Sequence, residues 1–295
     1  MKRIVLFVLM FVVSSLEAGS GGFSSLVLGL DARSVSLGKA VSAWTGDASA
    51  PYWNPAALGS GPSDCHLSAA VYRWIEGIHG EFLSFVRTGE HQSLGLYTLY
   101  TEVGGIEYRT VPSPEPSFTF SSHEWIAGAA YARTWKQRIT VGLGLKMLYG
   151  KMFVDEVWGL AADAGVLVDV NRKGLKIGVV LQHLGGTGKL KEETIALPAT
   201  ARIGVSVPVK ALGFSWSGLG ETVWEKGFPV RFRGGLEWGW KKIVFVRFGY
   251  QTGLENGAAT AGFGLGWGVY RLDYAFVPGG MDLGDAHRLT FGISW

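Results

Sequence analysis

Histidines stand at positions 66, 79, 91, 123, 183 and 287, and no two share the i, i+4 spacing that lets one helix face hold a metal ion. Gly188 and Lys189 suggest the end of a phosphate-binding loop. The pattern fails on both sides, because His183 stands where its first glycine belongs and Leu190 follows the lysine. Asp155-Glu156 reads as a polar loop rather than a paired-carboxylate site. A Ser-His-acid set drawn from distant strands stays open on composition, but no glycine-flanked nucleophile elbow occurs. Cys65 is the only cysteine, so no internal disulfide forms, and it reads as a small buried or lumen thiol. No catalytic residue, metal ligand or cofactor is nominated, and the chain is not expected to be an enzyme. The charged residues with a pattern are Arg231, Arg233, Glu237, Arg247, Arg271 and Asp273, each placed between apolar neighbours.

That pattern belongs to strands. Residues 287–295 alternate Leu289, Phe291, Ile293 and Trp295 with Arg288, Thr290, Gly292 and Ser294. Ile139 to Met147 and Leu175 to Leu181 repeat the alternation, with Gly142, Gly144, Lys146 and Gly178 on the polar phase. Fifteen candidate strands lie between residues 65 and 295, and bacterial membrane barrels use an even number. The weakest, near 104–111, reads as a loop or an extension of its neighbour, leaving about fourteen. A charge at the bilayer midplane on the lipid face costs about 2–4 kcal/mol, so the charged phase must face inward in a membrane barrel. Val141, Leu143, Phe291 and Ile293 then face lipid. A soluble β-sandwich with its charges facing water has the same periodicity. Trp135, Trp158, Trp224, Trp240, Tyr250 and Trp267 near strand ends favour the membrane, because interfacial girdles are rich in Trp and Tyr.

Composition agrees. The mean hydropathy is positive, yet no apolar run past Val13 is long enough for a membrane helix. The chain holds 27 basic and 24 acidic residues, a balance with no nucleic-acid signature. Lys2 and Arg3, the apolar run Ile4–Val13 and the small residues Ala18-Gly19-Ser20 have the layout of an export signal over 1–20. Residues 21–62 then precede a barrel over 63–295, in the outer membrane of a bacterium.

Residues 29–59 resemble the opening signature of the PorV/PorQ family of outer-membrane proteins, relatives of FadL-type channels. The matching residues are Gly29, Ala32, Arg33 and Gly38, then Asp47–Ala50, then Trp53, Asn54, Pro55, Ala56 and Leu58; Lys39 and Ala57 depart from it. Further matches are Gln182–Gly185, Leu197-Pro198, Leu272–Pro278 and His287-Arg288. The resemblance implies a luminal hatch over 21–62, in which Asp31, Arg33, Asp47 and Asn54 make polar contacts with the inner wall. Gly38, Trp53, Pro55 and Ala56 belong to the same structural set. It also implies an accessory role in protein export or surface attachment, with secretion-machinery or cargo proteins as partners beside outer-membrane lipid. The alternative is a FadL-like channel for small hydrophobic compounds.

Overall fold

The computed structural model describes residues 23–44, 47–59, 64–74, 77–110, 114–171, 173–190, 192–211, 214–253, 258–279 and 284–295. The expected export signal, Pro112-Ser113 and the Gly280–Asp282 turn lie outside them. Fourteen antiparallel strands close a barrel. In chain order they are β1 (Cys65–Arg73), β2 (Ile78–Arg87), β3 (Gln92–Tyr108), β4 (Phe118–Trp135), β5 (Ile139–Met152), β6 (Asp155–Asp169) and β7 (Lys176–Thr187). After a two-stranded ribbon, β8 (Lys189–Leu190) with β9 (Glu193–Thr194), the wall continues. Its second half is β10 (Thr200–Ala211), β11 (Phe214–Glu225), β12 (Arg231–Trp240), β13 (Val244–Gln251), β14 (Ala258–Trp267), β15 (Tyr270–Val277) and β16 (Ala286–Ser294). The β1–β16 ladder seals the barrel, and Cys65 and Trp295 exchange backbone bonds of 2.7 and 3.0 Å at its end.

The two-residue period sets which face each side chain takes. On β5, Leu143 is 61% and Leu145 71% exposed on the outward phase, while Lys146 between Leu145 and Met147 is 2% exposed. Leu289 and Phe291 likewise point out, and Arg288 and Thr290 are buried. The outer face is therefore apolar, while the inner face carries the charged and polar side chains together with an apolar cluster that includes Phe82, Leu99, Ile126 and Leu148. Closure leaves no strand edge unpaired, which a hydrocarbon environment requires.

At the end of the barrel that holds Cys65 and Trp295, every connection spans two to six residues. Two of these connections are three residues long and open on two residues with left-handed backbone, Lys136 and Gln137 at φ 51° and 52° and Lys241 and Lys242 at φ 50° and 61°. Each is closed by the third residue's N–H donating to the last carbonyl of the strand before it, Arg138 to Trp135 at 3.1 Å and Ile243 to Trp240 at 2.9 Å. Both central residues at positive φ define the type I′ turn, whose twist suits a hairpin. In bacterial membrane barrels the short-turn end faces the periplasm.

The stretch near 104–111 is an extension of its neighbour: β3 runs through it with a register shift between Val103 and Ile106, and the strands of the wall number fourteen. Other expectations are corrected. Asp155-Glu156 opens β6 instead of forming a loop, and Glu156 pairs with Lys151 across the ladder at 3.2 Å. β11 runs from Phe214 to Glu225, with Glu221 and Glu225 facing inward to arginines, and residues 185–197 contain the end of β7 and the β8–β9 ribbon. Cys65 is half-buried, paired with Arg87 at the start of β1, and is not a core or lumen thiol.

Candidate functional site

The N-terminal segment is cut into short helices by its own residues. Asp31 caps α2 (Ala32–Ser36), its carboxylate accepting the Ser34 N–H at 2.7 Å. Before it lies α1 (Ser25–Leu28), after it α3 (Ala50–Trp53) with Pro51 in the first turn. Asn54 then caps a 3₁₀ turn over Pro55–Leu58 by accepting the Ala56 N–H at 3.0 Å. The proline that follows Asn54 keeps it extended, at φ −159°. Alanines and serines dominate the segment, and nearly every described residue from Leu26 to Leu58 is buried.

What buries it is the inner wall. A Cβ on Gly142 would overlap the Pro55–Ala56 backbone; one on Gly165 would overlap the Asn54 side chain; one on Gly178, the Ser42 carbonyl; one on Gly249, the Gly38 amide. These glycines lie on β5, β6, β7 and β13, so the segment touches the wall on widely separated strands. Gly38 itself sits at φ 64°, where a Cβ would strike the backbone of Gly234 and Tyr250. The wall also supplies partners for backbone groups that no water reaches. Thr290 accepts the Ala32 N–H at 2.8 Å, Glu124 the Ser25 N–H at 3.0 Å, and Glu221 the Ser42 N–H at 2.9 Å. Gln182 donates to the Tyr52 carbonyl at 2.6 Å and Ser93 to the Gly59 carbonyl at 2.8 Å.

Four of the six charged residues nominated on the strands meet two from the segment in one network. Arg33 bonds Glu237 through Nη2 at 3.1 Å and Asp47 through Nη1 at 3.1 Å. Arg247 donates to Glu237 at 2.6 Å and forms an ion pair with Asp273 at 2.8 Å; Arg271 donates to Asp273 at 2.8 Å. The other two stand apart, Arg231 on Glu225 at 2.6 Å and Arg233 on Glu221 at 3.4 Å. Asp31 and the Trp53–Ala56 block also lie outside the network. Trp53 takes the Arg202 guanidinium over its ring at 5.0 Å, and Asn54 donates to the Ser42 carbonyl at 2.6 Å.

A second buried cluster carried no expectation. Lys146 on β5 bonds Asp163 on β6 at 2.7 Å and His183 on β7 at 3.0 Å. The ladder shifts register between Ala162 and Ala164, and His183 takes φ 61° there so that its N–H reaches Asp163 at 2.8 Å. Its available signal was Lys146 and Asp163 on the polar phase of neighbouring strands. Outside this cluster the wall is thin: Ala127 and Ala129 on β4 lie among the exposed Leu96, Leu145 and Leu160, leaving an apolar hollow of about 680 Å³ on the outer face. Tyr97 and Lys146 stand behind it, and the β3–β4 and β4–β5 ladders are unbroken across it.

Burial, and then the nearby Asp47 carboxylate, push the Asp31 carboxyl from its ordinary 3.8 up to about 6. An acid with a raised value stabilises the docked segment fully below 3.8, and that contribution is lost as pH rises through about 6. We therefore expect docking to weaken over this window by on the order of 3 kcal/mol. Amide exchange of residues 32–36 against pH reads it. Asp31→Asn should flatten the profile; the same profile in wild type and variant would contradict the assignment.

No protein-family model matches the chain, and no curated protein matches it. Solved structures do. The toluene transporter TbuX of Ralstonia pickettii superposes with a TM-score of 0.63 at 14% identity, covering 90% of this chain and 97% of that one. The CymD monoaromatic hydrocarbon channel gives 0.64 at 14%, covering 91% and 97%. A FadL homologue of Pseudomonas aeruginosa gives 0.54 at 10%, covering 90% and 97%. At such identities the likeness establishes the fold alone, a closed antiparallel barrel of fourteen strands. The narrower PorV/PorQ resemblance gains nothing from these comparisons.

Proposed function

We propose that the chain is a FadL-like channel that admits small hydrophobic compounds across the outer membrane, with residues 23–59 as its hatch. The observation that carries the reading is the filled lumen: a segment of small residues seated on wall glycines and tied to the wall by polar side chains. A seat built from hydrogen bonds and one ion network can be left and regained without breaking the ladder that holds the barrel. The neighbours named as toluene and monoaromatic hydrocarbon channels support a hydrophobic cargo, and the apolar hollow beside Tyr97 gives such a cargo a place on the lipid side.

The export-accessory reading rests on the residue resemblance, and no contact in the structure favours it. The two separate experimentally. Proteoliposomes holding the purified protein should take up toluene faster than protein-free vesicles, and removal of the chain from cells should leave surface display of secreted proteins intact. Equal uptake with lost display would reverse the choice.

A further inference from the structure

The short-turn end of the barrel carries an excess of unpaired positive charge. Lys136, Arg138, Lys173, Lys241 and Lys242 stand exposed in its turns, and Arg87 and Arg133 on the outward phase near the ends of β2 and β4. Among the described residues none of these seven has a carboxylate within ion-pair distance. The acids at this end are Asp64, Glu90 and Asp169, the last already bound to Lys176 at 3.4 Å. The opposite end mixes both signs, with exposed Glu107, Glu156, Glu192 and Asp285 beside Arg73, Arg109 and Lys189, and two of its acids are paired, Glu107 with Arg109 and Glu156 with Lys151.

Two features point to what neutralises the rim. Arg87 and Arg133 share the outward phase with exposed Leu94, Tyr131 and Trp135, so they lie against the membrane and not toward open water. Arg133 sits over the Trp135 ring at 5.7 Å and Lys241 over the Trp240 ring at 5.0 Å, which places both cations beside aromatics of the interfacial girdle. The turns add a separate sign. Type I′ turns favour Asn-Gly because both residues take positive φ, yet this sequence puts Lys-Gln and Lys-Lys there. The backbone penalty is accepted in return for a cation at headgroup depth.

We propose that this rim binds the anionic headgroups of phospholipids in the leaflet bordering the short-turn end. A soluble acidic protein would meet the turn lysines but not the two arginines on the lipid phase. The proposal depends on the membrane barrel alone and not on what the lumen passes.

The test uses the full chain in mixed micelles of phosphatidylglycerol and phosphatidylcholine, with retained lipid read by native mass spectrometry at low and high salt. The variant combines Lys136→Asn, Gln137→Gly, Lys241→Asn and Lys242→Gly, which suit the turn better than the native residues and so preserve assembly. A second variant carries Arg87→Gln and Arg133→Gln. Wild type should retain phosphatidylglycerol over phosphatidylcholine, less so at high salt. Each charge removed should lower that preference about five-fold. Absence of a preference in wild type, or an unchanged preference in the two variants combined, would overturn the proposal. Binding of polyglutamate without any phosphatidylglycerol preference would overturn it in favour of a protein partner.

Discussion

Replacing Gly165 and Gly249 together by valine should open the pore without unmaking the barrel. The first Cβ would occupy the space of the Asn54 side chain, and the second that of the Gly38 amide and the Thr260 hydroxyl beside it. Both sites face the segment, so their backbone pairs, Gly165 with Val180 and Gly249 with Gly235 and Thr260, are untouched. Valine also suits a strand better than glycine. The segment, unable to seat at either place, should leave a wetter lumen, and single-channel conductance in planar bilayers should rise on the order of ten-fold. Heat-modifiable migration would confirm that the wall still closes. A folded variant with wild-type conductance would mean that residues 23–59 do not block the pore.

Glu237→Gln should be the most destabilising single substitution in the lumen. The carboxylate answers Arg33 and Arg247 together, with Arg271 at 3.7 Å, and it is largely hidden from solvent. Removing one member of such a buried set leaves the remaining charges uncompensated, which costs about 3–5 kcal/mol. Denaturant unfolding from lipid vesicles reads the loss. Glu156→Gln, whose partner Lys151 is exposed on the barrel rim, should cost less than about 1 kcal/mol. A similar small effect for Glu237 would show that Arg33 is held by Asp47 and by packing on Trp44.

How much of this was legible follows from what a period of two can carry. From Ile139 to Met147 on β5 and from Arg288 to Ser294 on β16 the apolar and polar phases separate cleanly, so strand and facing can both be read. Glu237, Arg247, Arg271 and Asp273 were visible as inner-phase charges for the same reason. Their meeting was not visible, because it depends on register: Glu237 faces Arg247 only when the Lys241-Lys242 reversal sets the β12–β13 pairing, and two lysines do not announce such a turn. Glu221 and Glu225 carried no expectation, since their partners Arg233 and Arg231 lie on the next strand and meet them only through the register. Lys146 and Asp163 are single charges among glycines and alanines, and only the shifted register at His183 brings the third member in. The N-terminal segment was legible as a compact, capped, small-residue stretch through Asp31, Asn54 and Pro55. The glycines that receive it are spread over the wall strands, and nothing local in any one strand marks them as a common seat.

The central claim is that hydrophobic cargo passes only when the hatch leaves its seat, and a reversible lock tests it most directly. The Ser42 Cβ lies 3.3 Å from where a Cβ on Gly204 would stand, close to the spacing a disulfide spans. Ser42→Cys with Gly204→Cys, in a Cys65→Ser background, would tie segment to wall under oxidising conditions. Toluene uptake into proteoliposomes should fall to the protein-free level when the bond is formed and return on reduction. Uptake at the wild-type rate with the bond intact would contradict the account.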